Sequence, residues 1–345
     1  MKVGLVSPYD LGRPGGVQDQ VIRLSGWLRE AGHETVIVGP GTEGPDGARL
    51  LGATTVVPAN RAATPIRLHP GVARDLTAAL ADVDVIHVHE PLMPAVSPAA
   101  LRVEGSAKVA TFHADPPGWV RRLYRHGRIG VRLAVRNAAV VTAVSPVAGS
   151  SIEGVVEYRI IPNGIDVSRY ETGPKIPGRV VFLGRDDERK GLPVLLDAWS
   201  AVQAAVPDAT LRVLGATRDE PISGVEFLGW VDDGVKEAEL GAASVFCAPN
   251  LGGESFGIIV AEAMASGCAI VASSIPAFEH VAGPTARFVT PGHPDGLAQE
   301  IIELLTDFEK AAELGAAAAQ RVRRFDGSSV AADYIVAYQD AIAGR

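Results

Sequence analysis

The stretch Phe246–Ser273, FCAPNLGGESFGIIVAEAMASGCAIVAS, gathers the residue types best suited to chemistry. It reads as an apolar strand, a glycine-rich loop, a helix and a second apolar strand, with Gly267 closing the helix. Glycines let the backbone approach a ligand closely. The helix turns its unpaired N–H groups and positive dipole end toward the loop, which makes an anion site suited to phosphate. Two carboxylates flank it, Glu254 in the loop and Glu262 in the helix, with seven residues between them. A phosphate repels a carboxylate, so Glu254 is expected to meet a neutral, hydroxyl-rich part of the ligand. Eight positions span roughly 12 Å of helix, which sets Glu262 against a different part of it. A phosphate between two hydroxyl-bearing groups describes a nucleotide-sugar.

Other candidates lie elsewhere in the chain. Arg185 and Lys190, in GRDDERKG, can neutralise a diphosphate leaving group as its charge develops. Asp186, Asp187, Glu188 and Arg189 are interleaved with them, and alone such a run reads as a solvated charge cluster. Pro14-Gly15-Gly16-Val17-Gln18 joins the first strand to the first helix and offers a second close backbone approach. It lacks a full G-x-G-x-x-G and an acidic residue about 20 positions on, so it does not specify a dinucleotide. His113 ends a buried strand and is expected to hydrogen-bond in the site. His87, His89 and Glu90 end the neighbouring strand, and a His-x-His-Glu group suggests zinc. His87 and His89 are expected on opposite faces of that strand, unable to share a metal without other ligands. No metal site is assigned, and His87 reads as a satisfied core histidine.

The chain has 345 residues, 47% hydrophobic and 21% charged, which suits two soluble globular domains with large cores. Through Gly173 there are 18 basic and 16 acidic residues, and thereafter 14 and 24, so the chain is no general nucleic-acid binder. The two cysteines, Cys247 and Cys268, read as small buried apolar residues in a reducing compartment. No apolar run approaches the roughly 18 residues of a membrane span, and residues 2–7 read as a strand rather than a signal peptide. The expected location is cytoplasmic, with peripheral attachment to the inner membrane face as a further expectation.

Strands and helices alternate throughout. KVGLVSP, the glycine loop, an amphipathic helix carrying Val21, Leu24 and Leu28, and TVIVGP form a βαβ unit whose first loop lies at the carboxyl edge of a parallel sheet. The second half repeats the design. The expected organisation is an acceptor-binding Rossmann-like domain over 1–164, a linker over 165–178, a nucleotide-sugar-binding Rossmann-like domain over 179–329, and a C-terminal helix over 330–345 packing back toward the first domain. The fold class is α/β, with two parallel sheets facing each other across a deep cleft. Between Pro116 and Ile152 there is no acidic residue, while Arg121, Arg122, Arg125, Arg128, Arg132 and Arg136 recur at helical steps along one broad face. Such a helix can lie on an anionic membrane; a solvated face or a site for an acidic acceptor reads equally well.

Together these residues resemble the retaining glycosyltransferases of family 4, which have the two-domain GT-B fold. The resemblance covers nearly the whole chain. It rests on the spaced glutamates of GGESFGIIVAE, on Pro162-Asn163-Gly164 and on the Arg185–Lys190 loop. Within the family the likeness is strongest to the phosphatidylinositol mannosyltransferases of actinobacteria, through Ser7-Pro8-Tyr9, PGGVQ at 14–18, His89-Glu90-Pro91, ATFH at 110–113 and CAPNLGGESFG at 247–257. It implies that Arg185 and Lys190 hold the diphosphate, with Gly16 approaching from the other domain. Glu254 would hold the transferred sugar, beside Ser255, Phe256 and Gly257, and Glu262 the ribose. His113 would lie between sugar and acceptor, making His113, Glu254, Arg185 and Lys190 the catalytic set. Val231, Asp233 and Lys236 match the family's base-recognition stretch, with Asp233 accepting from guanine N1 or N2 and Lys236 donating to O6. Tyr9, Gln18, Asn60, Arg67 and His113 would face the acceptor.

Two departures concern that acceptor. A Tyr-Asn pair followed by arginine in the relatives is Ala59-Asn60 here, with Arg61 and Arg67 out of register. A lysine-rich membrane helix is replaced by the nearly neutral GVARDLTAALAD. The resemblance implies transfer of mannose, with retention, from GDP-mannose to a phosphoinositide-like acceptor, with no tightly bound cofactor and no required divalent metal. The anionic membrane is a further expected partner, through Arg121–Arg136. The alternatives are a UDP-sugar-dependent member with a soluble or polyprenyl-linked acceptor, and a catalytically silent nucleotide-sugar-binding protein.

Overall fold

A computed structural model describes residues 1–59, 62–66, 69, 71–116, 118–170 and 173–344, without the side chains of 55–59 and 62–66. The chain divides into two compact units, one formed by Met1–Gly164 with Gly327–Arg345, the other by Ile165–Asp326.

The first unit begins with β1 (Lys2–Val6), α1 (Gly16–Glu30), β2 (Glu34–Gly39), β3 (Arg49–Leu50) and an antiparallel pair, β4 (Thr55–Ala59) and β5 (Ala62–Ile66). It continues through α2 (Val72–Ala79), β6 (Val85–His89), α3 (Val96–Ala100), β7 (Ala107–Phe112), α4 (Gly118–His126), α5 (Arg128–Val135), β8 (Val140–Ala143), α6 (Pro146–Gly149) and β9 (Arg159–Ile160). Seven of these strands form a parallel sheet in the order β3-β2-β1-β6-β7-β8-β9. Helix α1 forms because Val21, Leu24 and Leu28 share one buried stripe, and it stops where Gly32 takes the left-handed conformation.

The second unit runs through β10 (Ile176–Leu183), α7 (Leu192–Ala205), β11 (Thr210–Leu214), β12 (Val225–Gly229), α8 (Asp233–Ala242), β13 (Ala243–Ala248), α9 (Ile258–Ala265), β14 (Ala269–Ser273), α10 (Pro276–Ala282), β15 (Ala286–Val289), α11 (Pro294–Thr306) and α12 (Phe308–Val322). Its six strands are also parallel, in the order β12-β11-β10-β13-β14-β15. Both units are therefore Rossmann-like. The core of the second packs Phe182, Trp199, Leu211, Val213, Val245 and Val271 together. Cys247 and Cys268 are free and buried.

The last helix, α13 (Gly327–Ala343), belongs to the first unit. Its Val330, Ala331, Tyr334, Ala337, Tyr338 and Ala341 enter the same core as Val3, Leu5, Val85 and Val109. The end of the chain thus covers a face of a sheet built from its beginning.

The arginine run is not the single helix its spacing suggests. It breaks at Gly127 into α4 and α5. Arg128 and Arg132 donate to the carbonyls of Gly154 and Val155 at 2.9 and 2.8 Å, and Arg121 pairs with Asp115 at 3.5 Å. Arg121, Arg128 and Arg132 are thus engaged within the unit by contacts among the described residues.

At the head of α7, Gly191 has a φ of +72°, and a Cβ there would lie 1.9 Å from the carbonyl oxygen of Pro249. The loop after β10 is thereby pressed onto the loop after β13, which brings Lys190 to Glu254. The Gly191→Ala protein combines left-handed strain with a backbone clash, each costing about 1–3 kcal/mol. Chemical unfolding followed by tryptophan fluorescence should report a loss of about 2–6 kcal/mol.

Candidate functional site

In the second unit the candidate residues meet at the carboxyl edge of the sheet. Lys190, after β10, donates to Glu254 Oε1, and Asn250, after β13, donates to the same oxygen at 2.9 Å. Glu254 is thus held from two sides at the mouth of the loop leading into α9. Helix α9 starts beyond Gly257, whose φ of +101° allows the tight entry, and its N-terminal N–H groups open toward that loop.

The interleaved charges of the 185–190 loop sort into two sets. Arg189 pairs with Asp187 at 2.7 Å, and Arg218 with Asp186. Arg185 makes no hydrogen bond or ion pair among the described residues. The loop is therefore more than a solvated cluster: Asp186, Asp187, Arg189 and Lys190 are each taken up in a specific pair, while Arg185 is not.

Glu262, inside α9, is held by Lys236 from α8 at 3.0 Å, with both side chains nearly buried (5% and 13% exposed). A pair so removed from water must satisfy its charges internally, and Lys236 also lies 3.2 Å from Asp233. Arg169 takes Asp233 at 3.2 Å and Glu237 at 2.6 Å, so Asp233 sits between two cations and its carboxyl is held below the ordinary range. Beside it, Asp232 caps α8 by accepting from Val235 N at 2.9 Å, and Val231 is half-buried. Phe256 turns its ring into the core, edge-on to Phe325, so its backbone alone is placed for a ligand.

In the first unit His113, one residue beyond β7, faces β6. Its Nε2 is 2.8 Å from His89 Nδ1. Glu90 is buried and accepts from the backbone N–H groups of His113 and Ala114 at 2.8 and 2.6 Å. Burial raises the Glu90 pKa, opposed by those two hydrogen bonds. Glu90 itself is left-handed, at φ 48°, a strained conformation for glutamate. Burial, then the nearby Glu90, pushes the Tyr9 phenol well up. Gln18 is buried and donates to the carbonyls of Asp10 and Arg13 at 3.2 and 3.4 Å, bracing the glycine loop. A side chain at Gly16 would meet nothing within 4 Å. Asn60 and Arg67 lie outside the described residues.

His87 and His89 correct the expectation of opposite faces. Residues two apart on a strand share a face, and their rings lie 4.1 Å apart. His87 is a satisfied core histidine, with Nδ1 on the Tyr338 hydroxyl at 2.8 Å and Nε2 on the Thr111 hydroxyl at 2.6 Å. Among the described residues no group of three or more His, Cys, Asp or Glu side chains is arranged to hold a metal, and no helix is long and apolar enough to cross a membrane.

Residues 14–169 match the profile "Glycosyltransferase Family 4", and residues 177–307 match "Glycosyl transferases group 1". A "Phosphatidyl-myo-inositol mannosyltransferase" of Mycolicibacterium smegmatis is 36% identical, the match covering 98% of this chain and 94% of that one. The chain belongs to the family 4 glycosyltransferases. A Mycobacterium leprae protein of the same name is 34% identical over 98% of this family 4 chain and 96% of its own. Among solved structures, Anabaena HepE in complex with UDP and glucose superposes with a TM-score of 0.73 at 20% identity, covering 97% of this chain and 98% of that one. Sucrose-phosphate synthase from Thermosynechococcus elongatus superposes with a TM-score of 0.75 at 21% identity over all of both chains. These likenesses establish the GT-B fold of the family 4 chain.

Sequence reasoning missed Asn250 and Arg169 as partners of Glu254 and Asp233. Asn250 had a local signal, directly after a buried strand and four residues before the glutamate. Arg169 had none, since packing alone brings it to a carboxylate 64 positions away.

The buried imidazoles make stability depend on pH. Burial holds His113 down to about 4, with Asn163 acting in the opposite sense, and burial also lowers His87 and His89 well below the ordinary imidazole range. An unfolded chain protonates each imidazole below about 6.5, while the folded protein leaves His113 neutral to about 4. The unfolded state then binds more protons, so stability is lost as pH falls through that window. His113 alone contributes on the order of 3 kcal/mol of this loss. Urea unfolding at pH 7.5 and 5 should show a marked drop, smaller in the His113→Asn protein.

Proposed function

We propose that this chain is a retaining mannosyltransferase that moves mannose from GDP-mannose to a phosphatidylinositol-like acceptor at the cytoplasmic face of a membrane. The observation that carries it is the Lys190–Glu254–Asn250 cluster at the loop leading into α9, with Arg185 in the same loop as Lys190 and without a hydrogen bond or ion pair among the described residues. The names of the full-length relatives support the sugar and the acceptor.

The chemistry follows from charge. Without ligand, Lys190 is neutralised by Glu254. A bound diphosphate competes for the lysine with more charge, joined by Arg185 and the N–H groups of α9, and leaves Glu254 to accept from hydroxyls of the sugar. As the glycosidic C–O bond breaks, negative charge grows on the departing diphosphate, where fixed cations are most effective. Glu262 accepts from the ribose hydroxyls, and Lys236 and Asp233 turn their remaining capacity to the guanine edge. Tyr9, Gln18 and His113 serve the acceptor side, with Gly16 left bare for a close backbone approach. Attack from the face the diphosphate leaves keeps the anomeric configuration, as the family resemblance implies.

Hydrolysis of GDP-mannose should exceed that of UDP-glucose, and Glu254→Gln should lower it by about 100-fold, the scale of losing one charge-stabilising group. Faster turnover of UDP-glucose points to the UDP-sugar alternative. Undiminished hydrolysis by the variant removes Glu254 from the active site, and no turnover of either donor leaves a binding protein.

For the membrane, α4 and α5 expose Trp119, Leu123, Ile129 and Leu133 among their arginines, a mixture suited to an anionic bilayer interface. Vesicles of phosphatidylglycerol should co-sediment the protein, and less of it after Arg121, Arg122 and Arg125 are changed to serine. Equal sedimentation of the two proteins removes this surface from the account.

A further inference from the structure

Helix α8 carries Asp233 and Lys236, yet Leu240 alone of its residues is buried. Apolar packing therefore does little to set the rotation of this helix, and polar ties fix it instead. Lys175 donates to the carbonyl of Gly241 near the end of α8 at 3.0 Å, and to that of Ser266, just beyond α9, at 2.6 Å. Glu239 takes Arg212 at 2.7 Å and Arg179 at 3.5 Å. These contacts hold the second half of α8. At its first turn the tie is Arg169, which lies before β10 and 64 positions from Asp233 in the chain.

Arg169 pairs with Asp233 at 3.2 Å and with Glu237 at 2.6 Å. The two carboxylates are four residues apart on one side of the helix, where like charges repel, and a shared guanidinium offsets that repulsion. Asp233 has a different cation at each oxygen, Arg169 at Oδ2 and Lys236 at Oδ1, both at 3.2 Å. Lys236 also serves Glu262, at 3.0 Å. A half-exposed aspartate with only Lys236 as its partner would turn both oxygens to the lysine and draw it from Glu262. Arg169 opposes this and fixes the plane of the carboxylate. An ionised carboxylate has about four lone-pair sites, so each oxygen keeps a further site for a ligand. Two acceptors held side by side match two adjacent N–H donors. Guanine presents such a pair at N1 and N2, whereas uracil presents one N–H between two carbonyls.

We propose that Arg169 is a positioning residue that determines base specificity: anchored by Glu237, it holds the Asp233 carboxylate in the plane that accepts from a guanine edge. The proposal rests on the reading that Asp233 meets the donor base, and adds to it a residue that acts through Asp233 alone. Because Lys175, Arg179 and Arg212 still hold α8 when Arg169 is removed, the change acts on Asp233 rather than on the helix.

Calorimetric titration of the full chain with GDP, UDP and inorganic pyrophosphate tests this. The parent should bind GDP more tightly than UDP. Arg169→Met should weaken GDP about tenfold, within the range for losing a two-point base contact, and leave UDP and pyrophosphate little changed. In hydrolysis of GDP-mannose the same variant should raise KM by that factor with kcat little changed. Arg169→Lys should recover part of the loss, since it keeps the charge without the planar fork. Arg169→Met should add little to Asp233→Ala, because the two act through one contact. If Arg169→Met does not fold, Arg169→Gln takes its place. An undiminished preference for GDP in the Arg169 variant, an equal loss for all three ligands, or a full further loss on top of Asp233→Ala overturns the proposal and leaves the base reading of Asp233 standing. A parent without preference for GDP, or an Asp233→Ala protein that keeps it, overturns that base reading and the proposal with it.

Discussion

A parallel sheet covered by helices on both faces can display polar groups only where its strands end. Each unit obeys this constraint, and the candidate residues follow from it. In the second, Lys190, Asn250 and Glu254 follow β10 and β13; in the first, His89, Glu90 and His113 end β6 and β7. The faces carry mostly apolar side chains, with His87, Thr111 and Thr142 as a buried, hydrogen-bonded exception. What each site can do is set by which loops the sheet order brings together, β10 beside β13 and β6 beside β7.

The charges at these edges behave differently. In the second unit they are paired but replaceable. Lys190 and Glu254 are each about one-fifth exposed, so an incoming anion can compete for the lysine without leaving a charge stranded in the core. Lys236 and Glu262 are more deeply buried, and separating them would cost far more. A ligand there must accept the pair as it stands, which suits hydroxyl and base-edge hydrogen bonding better than charge. In the first unit burial keeps the imidazoles neutral, which suits hydrogen bonding rather than binding of a phosphate. The two edges thus suit different kinds of ligand group.

The legibility of the sequence divides along the line between local and non-local determinants. The glycine loop, α9 and their two glutamates were readable because strand, loop and helix are consecutive and each leaves its own period. That Arg185 stays unpaired among the described residues was not, because it depends on Arg218 reaching Asp186 from another strand end. The lysine that holds Glu262 is 26 positions away and is brought there by the packing of α8 beside α9. The strand period, correctly applied, puts His87 and His89 on one face, and that shared face brings their rings within 4.1 Å of each other. The arginine run kept helical spacing across Gly127, so the pattern concealed a break that the backbone makes plain.

The central claim is a reaction with a defined donor, acceptor and stereochemical course, and analysis of the lipid product tests it most directly. Incubation with GDP-mannose and phosphatidylinositol vesicles should give a lipid heavier by one hexose. Proton NMR of that lipid should show an α-linked mannose, the configuration of the donor. A β-linked product contradicts retention. A hexosylated lipid formed from UDP-glucose but not from GDP-mannose contradicts the donor assigned here.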